Sequence, residues 1–210
     1  MASADIDRPT NKRGATRARM VRSAALVLRE RGAAGVTIDE VLARSGAPRG
    51  SVYHHFPEGR SQLLLEALQY AGDAITTLID EGTPRGGSVL VRGFVDFWEK
   101  ALADTDFAAG CPVVAAAVGS AEEAPALIPV AGGIFDRWRQ ALGTAFGAEG
   151  FDDADAAALA LTCVAALEGA VVLCRSSHTA EPLREVAAQL EFLIKAKAFV
   201  KNNGVPDKDS

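Results

Sequence analysis

Residues 36–56, VTIDEVLARSGAPRGSVYHHF, constrain the fold more than any other stretch, because nearly every position either starts, stops or buries a short helix. Thr37 followed by Glu40 is a capping box: the Thr hydroxyl accepts from the Glu40 amide while the Glu side chain reaches back. Val36 and Val41 have the spacing of a hydrophobic staple. The spacing predicts a helix to about Arg44, stopped at Gly46, where a left-handed residue carries no steric cost. Pro48 suits the first turn of a second helix, since its missing N–H would go unpaired there. Pro57 ends that helix.

Val52 and Phe56 lie one turn apart and can face inward. Arg49, Ser51, Tyr53 and His54 are then left on the outer surface, and all are donors suited to phosphates or base edges. Gly50 costs about 1 kcal/mol against Ala in a helix interior, so a neighbouring helix or a DNA backbone is expected to need the space. The pattern reads as a helix-turn-helix with Pro48–His54 as recognition helix in the major groove. An ordinary helical hairpin with a polar face fits the same spacing.

Ser45-Gly46-Ala47-Pro48-Arg49-Gly50-Ser51-Val52-Tyr53-His54-His55-Phe56 resembles the signature of the TetR family of one-component bacterial repressors, in register over about residues 15–65. Tyr53-His54-His55-Phe56-Pro57 with Gly59-Arg60, and Gly110-Cys111-Pro112-Val113, resemble its LmrA/YxaF-like subgroup. The resemblance implies an all-α homodimer of about nine helices per chain, with an N-terminal three-helix DNA-binding domain and a larger ligand-binding and dimerisation domain. It also implies a double-stranded DNA operator, a small-molecule effector and control of drug resistance. Arg60, with Ser61, stands where the family often places a phosphate contact, and Thr37 joins the expected DNA-facing set.

Composition agrees. The 210 residues are 49% hydrophobic, rich in Ala and Leu, with two Trp and two Tyr, which favours helices. The longest apolar run, Ala156–Cys174, is interrupted by Glu168, so no membrane span is expected. A polar N-terminus gives no secretory signal. Cys111, Cys163 and Cys174 match neither a disulfide framework nor a zinc site, so a reducing cytoplasm, no metal and no cofactor are expected.

Net charge is −5, but its distribution favours nucleic acid. Residues 1–60 hold 11 Lys and Arg against 6 Asp and Glu; residues 61–210 hold 11 against 21. A basic quarter on an acidic remainder suits a DNA reader carried by a domain that stays off DNA.

In chain order, residues 1–13 read as a disordered basic arm, in which Arg8, Lys12 and Arg13, with Arg17 beyond it, either contact DNA or are solvated. Residues 14–62 form the helix-turn-helix domain, opened by a helix from about Ala15 to Arg31 that Gly32 stops. Residues 63–201 form the second domain, entered along a helix from about Arg60 to Asp80 that in the family bridges both. Five further helices follow, and 202–210 is a disordered tail. Ala154–Ala170 is dense in small residues, and Leu183, Val186, Leu190, Leu193 and Ile194 form a helical stripe. These two helices either build a two-fold four-helix bundle with a second copy or pack within one core.

Phe94, Trp98, Phe107 and Trp138 supply a mainly apolar lining for a ligand cavity, or plain core. Glu168 in its apolar run needs a partner, either a cationic ligand or a basic residue such as Arg175. Cys111 is a buried small hydrophobe or a thiolate at a helix N-terminus lining the same site. No set of residues completes a catalytic site. The sequence thus describes a ligand-responsive transcriptional regulator, a repressor that leaves a palindromic operator when an apolar effector binds. The alternative is a small-molecule or thiol-based sensor that acts through protein contacts without DNA.

Overall fold

The computed structural model describes residues 9–119 and 124–204. Among these the chain is all-helical, with α1 (Pro9–Gly35), α2 (Ile38–Ser45), α3 (Val52–His55), α4 (Arg60–Gly82), α5 (Gly87–Ala103), α6 (Pro112–Ala117), α7 (Leu127–Ala148), α8 (Asp153–Ser177) and α9 (Glu181–Asn203). Single 3₁₀ turns occupy Arg49–Ser51 and Thr83–Arg85. Two compact units result: Met1–Asp73 with Pro112–Gly132, and Ala74–Cys111 with Gly133–Ser210.

In the first unit, Met20, Ala24, Val27 and Leu28 of α1, Val36, Val41, Val52, Phe56 and Leu63 are all fully buried. Each large side chain among them contributes about 1.5–3 kcal/mol by leaving water. Gly32 breaks α1 at φ 69°, where the sequence ends that helix. The Thr37 hydroxyl accepts from the Glu40 amide at 3.2 Å, and Gly46 caps α2 in the left-handed region at φ 63°. α6 packs on α1.

The second unit is built around α8 and α9, with α5 packed on both. Asp152 caps α8 by accepting from the Asp155 amide at 2.8 Å, and His178 ends it at φ 54°. Trp98, Leu102, Trp138, Phe146 and Leu159 fill its interior.

Several sequence expectations are modified. The capping box is half made: the Thr37 N–H donates to Gly35 O at 3.0 Å, and the Glu40 carboxylate turns outward to Arg44 at 2.6 Å. A charged partner outcompetes the backbone for that carboxylate. The recognition helix starts as a 3₁₀ turn, because Pro48 is extended (ψ 143°) and both the amide and the hydroxyl of Ser51 donate to its carbonyl. Such i to i+3 bonding tightens a first turn.

The disordered arm expected over 1–13 is helical in backbone from residue 9, Pro being acceptable in a first turn; residues 1–8 lie outside the described residues. Asn202 and Asn203 belong to α9, and the rest of the expected tail from residue 205 lies outside the described residues. The compact units part at Asp73–Ala74 rather than near residue 62, since Leu63, Leu64, Ala67 and Leu68 are buried with the first unit. α8, at 25 residues, is long and apolar enough to cross a membrane by length and composition, so one Glu does not interrupt it as expected. Its apolar character has a use inside the second unit, whose core it forms together with α9.

Candidate nucleic-acid interface and ligand cavity

The surface following α2 is set by its buried face. Val52 and Phe56 are fully buried, which turns Arg49, Gly50, Tyr53 and His54 to solvent; Tyr53 is 68% exposed. Gly59 has φ 66°, and a Cβ there would stand in contact with Tyr53 Cε1 at 3.4 Å. The His54 and His55 rings meet edge to face at 5.2 Å. Thr37 is exposed while its hydroxyl caps α2, and Ser51 is half-buried with its hydroxyl on Pro48 O. Among the described residues nothing comes within 4 Å of a Cβ placed on Gly50, so no neighbouring helix there requires the missing side chain.

Two other expected DNA contacts have partners inside the first unit. Arg60 donates to Val36 O at 2.7 Å and to Ala33 O at 2.6 Å, fastening the start of α4 to the end of α1 and the residue that follows it. Arg17 donates to Glu66 at 2.6 Å, with its guanidinium 5.0 Å from the Phe56 ring centroid. A third clamp escaped the sequence reading. Arg44 donates to both oxygens of Glu30, at 2.9 and 2.7 Å, and to Glu40 at 2.6 Å. Its hydrogen bonds hold the Glu30 carboxyl below the usual range. The Glu40–Arg44 spacing was its visible signal.

In the second unit a narrow cavity of about 20 Å³, room for about one water, lies among α4, α5, α7 and α8. Of the expected ligand residues, Phe94, Trp138 and Glu168 line it. Trp98 instead packs behind it, its ring 6.1 Å from that of Phe94. Phe107 lies half-buried against His178 at 6.0 Å, in a loop where Asp106 and Phe107 both have positive φ. Leu78, Leu90, Val91, Leu142 and Leu167 complete the wall and were not singled out, since aliphatics at helical spacing look like any core.

The Glu168 carboxylate is the charged group in that wall, 6% exposed, and neither oxygen has a hydrogen-bond partner among the described residues. The expected alternative pairing with Arg175 is therefore not made. Burial pushes its pKa up to about 7, and the nearby Cys111 thiol opposes that rise. Cys111, Cys163 and Cys174 are buried and form no disulfide among the described residues, and burial pushes the Cys163 thiol up to about 12. These surroundings suit small hydrophobes rather than thiolates.

The chain has clear relatives. Residues 21–67 match the family model for bacterial regulatory proteins of the tetR family, and residues 89–189 that for the LmrA/YxaF-like transcriptional regulator C-terminal domain. An HTH-type transcriptional regulator of Mycobacterium tuberculosis is 43% identical over 186 residues, covering 86% of this chain and 95% of its own. The HTH-type regulator YxaF of Bacillus subtilis is 25% identical over 187 residues, covering 88% and 98%. The crystal structure of a TetR transcriptional regulator from Chloroflexus aurantiacus, 30% identical, superposes with a TM-score of 0.74 over 89% of this chain and 97% of that one.

Proposed function

The chain belongs to the TetR family of bacterial transcriptional regulators, and from that premise we propose that it is a cytoplasmic, effector-released repressor of a palindromic operator. The observation that carries this reading is the solvent-facing row Arg49, Tyr53 and His54, held rigid by the buried Val52 and Phe56 on a net-basic first quarter. Arg49 and His54 would meet phosphates or base edges in the major groove, and Tyr53 a phosphate.

A homodimer would place two such rows about 34 Å apart, or a multiple of that, on one face of the duplex. An apolar stripe open to solvent supports self-association. Leu161 and Val172 on α8 and Phe192 and Phe199 on α9 are exposed, the last two by 69% and 67%. Joined isologously, two copies of this face would make a four-helix bundle.

The effector would bind in the cavity that holds Glu168, and α4 is placed to carry the signal. Its first half is buried in the unit that bears the DNA-reading row, while Leu78 and Ile79 in its second half line the cavity. An effector releases DNA only to the extent that it favours the non-binding arrangement.

Fluorescence anisotropy with DNA from immediately upstream of the protein's own gene tests the core of this reading. Wild type should bind tightly and weaken steeply as salt rises, and Tyr53→Ala should lose that binding. Binding no tighter than to random DNA would refute autoregulation. No DNA binding at all at low salt would refute the regulator reading in favour of a sensor acting through protein contacts.

A further inference from the structure

The walls of the Glu168 cavity are otherwise apolar. Leu90, Val91, Phe94 and Leu142 offer no polar side-chain atom, and the Trp138 indole N–H donates away from it to Thr76 Oγ1 at 3.0 Å. A carboxylate in such a place is costly unless it is paired. No capping or ion-pairing role within the fold accounts for it, because both its oxygens lack hydrogen-bond partners among the described residues. The missing element is a single positive charge with N–H donors, presented by an otherwise greasy body.

Building on the effector-released reading, we infer that the cavity takes an amphiphilic amine: a compact apolar or aromatic body with one protonated nitrogen that donates to the Glu168 carboxylate. The body lies against Phe94, Trp138 and Leu142, and aromatic faces add to the attraction for the cation. As it stands the cavity is about 20 Å³, so the ligand enters by displacing wall side chains. Leu78 and Val164 are half-buried members of that wall, which places the opening between α4 and α8. Displacing Leu78 acts directly on α4.

The test uses the full-length protein and one scaffold carrying three head groups: 4-phenylbutylamine, 4-phenylbutanol and 4-phenylbutyrate. Binding is read from tryptophan fluorescence, since Trp138 is in the wall. Wild type should bind the amine about tenfold or more tighter than the alcohol, as one charge-assisted hydrogen bond allows, and should bind the carboxylate weakest. In Glu168→Gln, and in Glu168→Leu as a second variant, the amine should lose its advantage over the alcohol. Equal or tighter binding of the alcohol by wild type, no binding of the amine, or an amine preference that survives both substitutions would each overturn the inference. The wild-type comparison stands even if a variant fails to fold. Binding to upstream DNA is measured on the same samples. Intact DNA binding without amine selectivity overturns the ligand class alone, whereas absent DNA binding overturns the regulator reading itself.

Discussion

Arg60 Nε donates to the carbonyl oxygen of Val36 at 2.7 Å, so the first turn of α4 is tied to the residue just before the Thr37 cap of α2, 24 positions earlier in sequence. Together with the bond from Nη2 to Ala33 O, this uses the guanidinium as an internal strap. For a part-buried charged donor such a strap as a whole contributes about 1.5–3 kcal/mol.

Arg60→Ala should therefore lower the stability of the protein to urea by about 1.5–3 kcal/mol while leaving the salt dependence of DNA binding unchanged. Arg49→Ala should do the reverse: little change in stability, and a slope of log affinity against log salt shallower by about 1. A shallower slope in the Arg60 variant would return Arg60 to the phosphate-contacting set.

Gly50 separates the needs of the free protein from those of its complex. A Cβ there meets nothing within 4 Å among the described residues, so Gly50→Ala should stabilise the free protein by about 0.4–1 kcal/mol. If a DNA backbone occupies the space, the same variant should bind its operator more weakly. Thermal melting and DNA titration on one preparation decide it, and unchanged affinity would place the backbone elsewhere.

Glu168 makes stability depend on pH in an unusual direction. Its folded pKa, about 7, stands above the ordinary 4.5, so the fold favours the neutral acid. The associated penalty is absent below about pH 4.5, grows as pH rises and is complete above about pH 7. Glu168→Gln should match wild type near the acid end and exceed it by about 3 kcal/mol at alkaline pH. Urea unfolding at both ends of that range checks it; a wild type equally stable at alkaline pH would mean that the carboxylate has found a partner.

The exposed stripe on α8 and α9 predicts assembly. Wild type should sediment as a dimer. Phe192→Glu, which sets a charge on a side chain 69% exposed in the single chain, should give a folded monomer with much weaker operator binding. A dimer that tolerates this change would move the interface off this face.

The helix-turn-helix segment was legible because its signals are local. Thr37, Gly46 and Pro57 act within a turn of their own positions, and α2 runs Ile38–Ser45 much as that punctuation requires. The roles of Arg17, Arg44 and Arg60 were not legible, since their partners Glu66, Glu30 and Val36 lie 49, 14 and 24 residues away. The cavity was half legible for a related reason. Phe94, Trp138 and Glu168 stand out by chemistry, whereas Leu78, Leu90 and Leu142 repeat at the same spacing as any buried helix face.

The packing of α6 on α1 bears on how the protein is made. Residues 112–132 belong to the same compact unit as residues 1–73, although 38 residues of the other unit come between them. A nascent chain that has released only its first 73 residues thus carries α1 with one face uncovered. The DNA-reading unit is completed only after α5 and α6 have left the ribosome, so its folding is not finished in the order of synthesis. Grafting the first 73 residues onto another regulator would transfer Arg49, Tyr53 and His54 but leave behind part of the unit that supports them.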